Sequence, residues 1–381
     1  MTAPRRSHRT ERAGGRLLGV DAARCVALVG MFSVHILPVT APDGGETLAG
    51  ADAAGRSSAL FAVLAGVGIA LGTGGPARPA DGRAHLAAAA ALVVRGALVA
   101  LIGLLLVGLD PPVAVILAYY GLLFVVAAPL LRLPAAALAA GAVLACVLTP
   151  VLSHLLRRGG PSGPGEQPGL GALAEPAGLL QTLALTGYYP VLTWTTYLLA
   201  GLAVGRLDLH RTRTAAGLLA GGAALAVAAT AASALLLGPG GGGDVLGPGA
   251  TQQRYGTVPT DTWWWLAVEA PHTGTPLDLA HTTGTALAVL GAMLLLARFA
   301  RPLVWVPAAV GAVPLTLYVL HVVAVSAHEG AAAFLLANVV GAVVVGVLLR
   351  LAGRRGPLEA VVSAAGRATR RAVREPAGTR P

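Results

Sequence analysis

Long apolar runs, broken at intervals by short polar or Gly/Pro-rich segments, dominate the chain. Ten of them reach or approach the ~20 residues that cross the hydrocarbon core of a bilayer. They lie near Ala22–Val39, Ser57–Thr73, Leu86–Leu109, Pro112–Leu131, Pro134–Leu156, Tyr189–Val204, Thr214–Leu237, Leu277–Ala297, Pro302–Val325 and Gly330–Leu351. The runs are continuous rather than alternating in period two, which excludes a spanning β-barrel. The pattern predicts an all-α polytopic integral membrane protein of about ten transmembrane helices. No internal repeat is visible, so the signature of an inverted-repeat transporter is missing.

Composition sharpens this picture. Only 12% of the 381 residues are charged and mean hydropathy is +0.73, whereas a soluble domain carries about 25% charge. The net charge of +10 comes entirely from arginine, because the chain has no lysine. A nucleic-acid partner is not needed to explain it, since the arginines sort by loop. Twenty-one of the twenty-seven fall at the termini and in alternate loops, while Arg56, Arg157, Arg158 and Arg254 are alone in the opposite loops. Most acids, among them Asp43, Glu46, Asp261 and Glu269, share the arginine-poor side. The positive-inside rule then places both termini in the cytoplasm.

The expected layout is a basic cytoplasmic N-terminus (1–16), a multi-spanning domain (17–353) and a basic cytoplasmic tail (354–381). The tail is expected on the anionic inner leaflet or unstructured. The first span lacks a small-residue cleavage site and reads as a retained helix. Arginine-only usage with abundant Ala and Gly suggests a GC-rich bacterial source, hence a bacterial cell membrane. Cys25 and Cys146 lie inside spans and form neither a disulfide framework nor a metal site.

Ionisable side chains within spans are costly and mark functional pathways. The first span holds Asp21, Arg24 and, eleven residues on, His35. Eleven residues make about three turns, so Arg24 and His35 share a face roughly 16 Å apart along the axis. A neutral imidazole can act as general base or nucleophile; the plainer reading is a histidine reaching the interface. Arg24 suits phosphate or a simple ion pair with Asp21. Arg95 in the third span faces an anionic site or a structural acid. Tyr318 and His321, three apart, share a face of the ninth span, and Tyr120 lies in the fourth. His272, Asp278 and His281 approach metal spacing only loosely, and no metal site is expected. Gly201-xxx-Gly205 permits close helix packing.

The opening run Gly19-Val-Asp21-Ala-Ala-Arg24 through His35 resembles the Asp-x-x-Arg first helix of membrane acyltransferases. With Gly55-Arg56-Ser57-Ser58, Ala118-Tyr119-Tyr120-Gly121, Pro271-His272-Thr273-Gly274-Thr275-Pro276, Leu315-Thr316-Leu317-Tyr318 and His321, and Arg355-Gly356-Pro357-Leu358-Glu359, the chain resembles the heparan-α-glucosaminide N-acetyltransferase-like group in its N-terminal part. Its C-terminal part is similar to YeiB-like bacterial membrane proteins. The resemblance implies transfer of an acyl group from cytoplasmic acetyl-CoA to an extracytoplasmic hydroxyl or amine, on a glycan or lipid-linked acceptor, and allows a homodimer. His35, His321 and Tyr318 would be catalytic; Asp21, Arg24 and Arg95 would hold the CoA; Arg56, Tyr120, His272 and Asp278 would meet the acceptor. The glucosaminide enzymes are expected to carry their active histidine in the loop after the first span, and Leu37 to Gly55 contains none. Two other readings fit the same buried charges: a transporter of a small polar or lipid-linked molecule, and a non-catalytic scaffold.

Overall fold

The computed structural model describes residues 17–39, 47–160, 165–328 and 332–374. The basic N-terminal segment, Asp43, Glu46 and Arg380 lie outside them. Among the described residues the fold is wholly helical. Its helices are α1 (Leu18–Ile36), α2 (Leu48–Ala53), α3 (Arg56–Gly72), α4 (Gly82–Val107), α5 (Leu117–Ala127), α6 (Ala135–Leu156), α7 (Pro176–Gln181) and α8 (Val191–Gly205). There follow α9 (Thr212–Leu237), α10 (Gly242–Leu246), α11 (Pro276–Phe299), α12 (Arg301–Val310), α13 (Pro314–Ala327), α14 (Ala332–Leu351) and α15 (Pro357–Arg374).

Each of the ten apolar runs contains a helix, but they differ in reach. Six are long and apolar enough to cross a membrane: α1, α4, α6, α9, α11 and α14. The ninth run is a pair, α12 and α13, bent by 59°. Gly311 lies at the bend and lets α12 sit on α1, where a Cβ would run into the carbonyl of Asp21 and come 2.9 Å from the nitrogen of Cys25. Proline opens the second half at Pro314, where its missing N–H costs nothing. The runs at Arg56–Gly72, Leu117–Arg132 and Val191–Gly205 are shorter apolar helices.

Helices α1, α3, α8 and α11 form the buried centre. The Gly201/Gly205 pair packs α8 on α3 as its spacing predicts: a Cβ on Gly205 would come 2.9 Å from the carbonyl of Val67. Helices α6, α9 and α14 are peripheral, with many exposed Leu and Val, as lipid-facing helices of a membrane bundle should be. Arg206 ties one end of the bundle, donating to the carbonyls of Ala70, Gly75 and Leu131.

Two segments differ from expectation. The glycine run after α9, whose composition suits a mobile linker, folds into a turn and α10, with Gly242 against Trp264. The C-terminal segment, expected on a leaflet or unstructured, is a helix through Arg374. Helix α15 lies along α4, burying Val362 and Gly366, and Glu359 receives the N–H groups of Leu315 and Thr316 at the start of α13 (2.7 and 3.0 Å). A carboxylate at a helix N-terminus satisfies orphan donors and complements the dipole, which is why this tail docks.

Candidate active site

Helix α1 connects two cavities. Near its start, Arg24 opens onto a cavity of about 470 Å³ bounded by α3, α4, α5, α13 and α15. Asp21, buried one turn earlier, accepts from Arg24 Nη1 at 2.9 Å, which fixes the guanidinium. Gly68 on α3 leaves it room. Arg95 and Arg355 reach the same cavity. Arg95 lies beside Phe124 and against Gly366, its buried Nε without a hydrogen-bond partner among the described residues. Among the described residues Arg355 donates to the Ser363 hydroxyl (2.9 Å). Among the described residues the carboxylate in the wall is Glu359, which is committed to α13. The rest is apolar and aromatic, including Phe61, Phe124, Tyr120 and Tyr318. Three guanidiniums at an apolar pocket with so little compensating charge make a site for a large anion with an apolar arm.

At the other end of α1, His35 lines a second cavity of about 500 Å³ with Pro112, Val325, Ser326, His328 and Phe334. Its ring meets His321 of α13, Nδ1 to Nε2 at 3.1 Å, and His321 Nδ1 meets Asn338 Oδ1 of α14 at 3.0 Å. Hydrogen bonding along this chain fixes the tautomers. Asn338 Nδ2 donates to the carbonyl of Phe334 (2.9 Å), so its Oδ1 faces His321 as an acceptor. His321 therefore carries its proton on Nδ1 and accepts at Nε2. His35 donates from Nδ1, and its Nε2 keeps the lone pair. Phe32 stacks on His321 (centroids 4.0 Å apart) and holds the ring in plane with its partners. His35 is thus a base whose orientation is set by two further residues.

Helix α13 and the segment after α4 border both cavities. On α13, Tyr318 faces the arginine cavity, Val325 faces the histidine cavity, and His321 stands between. After α4 the chain runs from Pro112 on the second cavity to Leu117 on the first. Tyr318 accepts from Ile116 N at 3.3 Å and pins that crossing.

The predicted residues therefore separate into groups. Asp21, Arg24, Arg95, Tyr120 and Tyr318 belong to the arginine cavity, so both tyrosines lie on the side expected for the donor. Tyr120 stacks on Phe61 and donates to the carbonyl of Ser58. His35 and His321 form the pair at the other cavity. Arg56, His272 and Asp278 line neither cavity. Arg56 Nε donates to His281 Nε2 (3.0 Å), and His281 Nδ1 donates to Glu269 (2.8 Å). Burial pushes the Glu269 carboxyl up, but hydrogen bonds and charge from His281, Thr230 and Arg56 outweigh it and hold it below the usual range. Asp278 accepts from Gly274 N, while Thr275 Oγ1 accepts from Asp278 N, a reciprocal cap on α11. His272 sits in the left-handed region (φ 59°), its carbonyl accepting from Gly256 N, and burial lowers its imidazole to about 4. Among the described residues no cluster of three or more metal-ligating side chains forms. Asn338 was missed by sequence reasoning, although a lone amide inside the apolar run of α14 was a signal of the kind that drew attention to His35.

Residues 16–236 match the catalytic region of heparan-alpha-glucosaminide N-acetyltransferase. The match covers more than half of the chain. The chain belongs to that family. No curated protein and no solved structure matches it. The matched region contains Arg24, His35, Arg95 and Tyr120, whereas Tyr318, His321, Asn338 and Arg355 follow it. Family membership suggests a membrane acetyltransferase.

Proposed function

We propose that the protein transfers an acetyl group from acetyl-CoA to a hydroxyl or amine acceptor across the thickness of the bundle. One observation carries the reading: a single helix, α1, supplies an arginine to an arginine-lined cavity near its start and a hydrogen-bonded imidazole to a second cavity at its other end. Arg24, Arg95 and Arg355 would hold the CoA phosphates, and the apolar walls between Phe61 and Tyr318 would take the pantetheine arm. His35 Nε2 accepts the proton of the acceptor X–H as X bonds to the thioester carbonyl carbon. The C–S bond then breaks, and His35 returns the proton to the leaving thiolate. His321 and Asn338 keep Nε2 unprotonated beforehand and share the charge during transfer. On this reading the donor cavity faces the cytoplasm of a bacterial cell and the His35 cavity faces outward, an orientation that the arginine asymmetry of the loops supports.

The test is calorimetric binding of acetyl-CoA to the purified protein, followed by mass spectrometry of acceptor mixtures. Micromolar affinity that weakens at least tenfold in Arg24→Ala is expected. His35→Ala should retain that affinity and lose transfer. No affinity for acetyl-CoA or for longer acyl-CoA would sink the proposal and favour a transporter.

A further inference from the structure

A third cavity, of about 310 Å³, opens sideways between α13 and α14. Helix α14 packs on α12 and α1 rather than along α13, and only 11% of its apolar window is buried. The gap has the form of a groove lined by one stripe from each helix. On α14 the stripe is Phe334, Ala337, Asn338, Gly341, Ala342 and Val345, spaced as one face of a helix. On α13 it is Leu317, Leu320, His321 and Ala324. Small residues give it depth: a Cβ at Gly341 would meet nothing within 4 Å.

Three features say what fills it. The stripe from Phe334 to Val345 is about 16 Å long, half of the ~30 Å hydrocarbon core, and so the depth of one leaflet. Its walls are apolar except for His321 and Asn338, which are the two residues that orient His35. At its upper end Phe334 lines both the groove and the His35 cavity. An occupant with an apolar chain in the groove therefore brings its polar end to the cavity that His35 lines.

We infer that the acceptor is a membrane lipid or lipid-linked molecule, its acyl chain seated between α13 and α14 and its head-group hydroxyl or amine presented to His35. This rests on the acyltransferase reading and names its substrate class. The proton and electron balance is that of the transfer already given, with the lipid head group as X–H. Lateral access also spares a polar head group from crossing the bundle, since the lipid arrives from the leaflet in which its head already sits.

The experiment compares acceptors that differ only in their chain. Purified protein receives radiolabelled acetyl-CoA with either dodecyl glucoside or methyl glucoside, and with either dodecylamine or ethylamine. At least tenfold preference for the long-chain member of a pair is expected. Gly341→Leu and Ala324→Leu, which fill the groove, should bring that ratio toward one. Equal transfer to long and short acceptors would overturn the lipid inference and leave the acyltransferase reading standing. A second readout is independent of activity: a phospholipid bearing a photoreactive acyl chain, reconstituted with the protein, should crosslink to α13 and α14 peptides, less so in Gly341→Leu. Crosslinks absent from those helices overturn the groove as a lipid site, and lost acetyl-CoA binding with crosslinks intact overturns only the transferase reading.

Discussion

Asn338 offers the sharpest test of the proposed base. In Asn338→Ala the Nδ1–H of His321 loses its only described acceptor, and a buried donor left unpaired costs about 1–3 kcal/mol. The ring can escape that cost by moving its proton to Nε2. There it points at His35 Nδ1, which must then accept, and the His35 proton shifts to Nε2. The base is lost in that tautomer. Because the penalty falls on the productive tautomer alone, its ratio to the other drops roughly 5- to 150-fold, and kcat should fall with it. KM for acetyl-CoA should hold, since Arg24, Arg95 and Arg355 line the other cavity. Steady-state kinetics would be read with imidazole nitrogen shifts from solid-state NMR, which report the tautomers directly. Asn338→Asp keeps an acceptor oxygen in place and should restore most of the rate. A kcat for Asn338→Ala within twofold of the parent, with unchanged shifts, would refute the relay.

Two further outcomes follow from other parts of the structure. A side chain at Gly366 would press on Arg95, whose Cδ and Cγ stand 3.0 and 3.1 Å from the Cβ position; Gly366→Leu should therefore weaken acetyl-CoA binding at least tenfold by calorimetry, and an unchanged Kd would detach α15 from the donor site. Burial holds His272 at about 4 against an ordinary 6.5, so the unfolded chain takes up a proton first and stability, level above about pH 6.5, declines as pH falls toward 4. His272→Asn, which tolerates the left-handed backbone, should flatten that acid slope in a thermal-denaturation series; a slope identical to the parent's would assign it to other groups.

The helices were legible because a span must be apolar along its whole length, and nothing else in a chain needs to be. Arg24 and His35 stood out for the same reason: the background against which they are read is empty of charge. What a single sequence does not carry is which such residues meet. His35 and His321 are 286 residues apart, and neither spacing nor period links them. Tyr318 and His321 share a face by their spacing, yet Tyr318 lines the arginine cavity while His321 pairs with His35 at the other end of α1. The bend between α12 and α13 was signalled by Gly311 and Pro314, but its direction depends on the contact with α1. The docking of α15 depends on Glu359, a residue that in a tail reads as solvent-facing and in the fold caps another helix.

The placement of the family match bears on how the site works. Residues 16–236 bring α1, α3, α4 and α5, hence Arg24, Arg95 and His35. Neither cavity closes with these alone. The donor cavity needs Tyr318 from α13 and Arg355, Glu359 and Val362 from the C-terminal segment, and the histidine cavity needs Val325 and Phe334. His35 without His321 and Asn338 has no fixed tautomer, so it is a histidine at an interface and not a positioned base. The chemistry proposed here is therefore a property of α1 enclosed by α13, α14 and α15. On the proposed reading, the residues after the matched region arm the base, and the groove they form selects its acceptor.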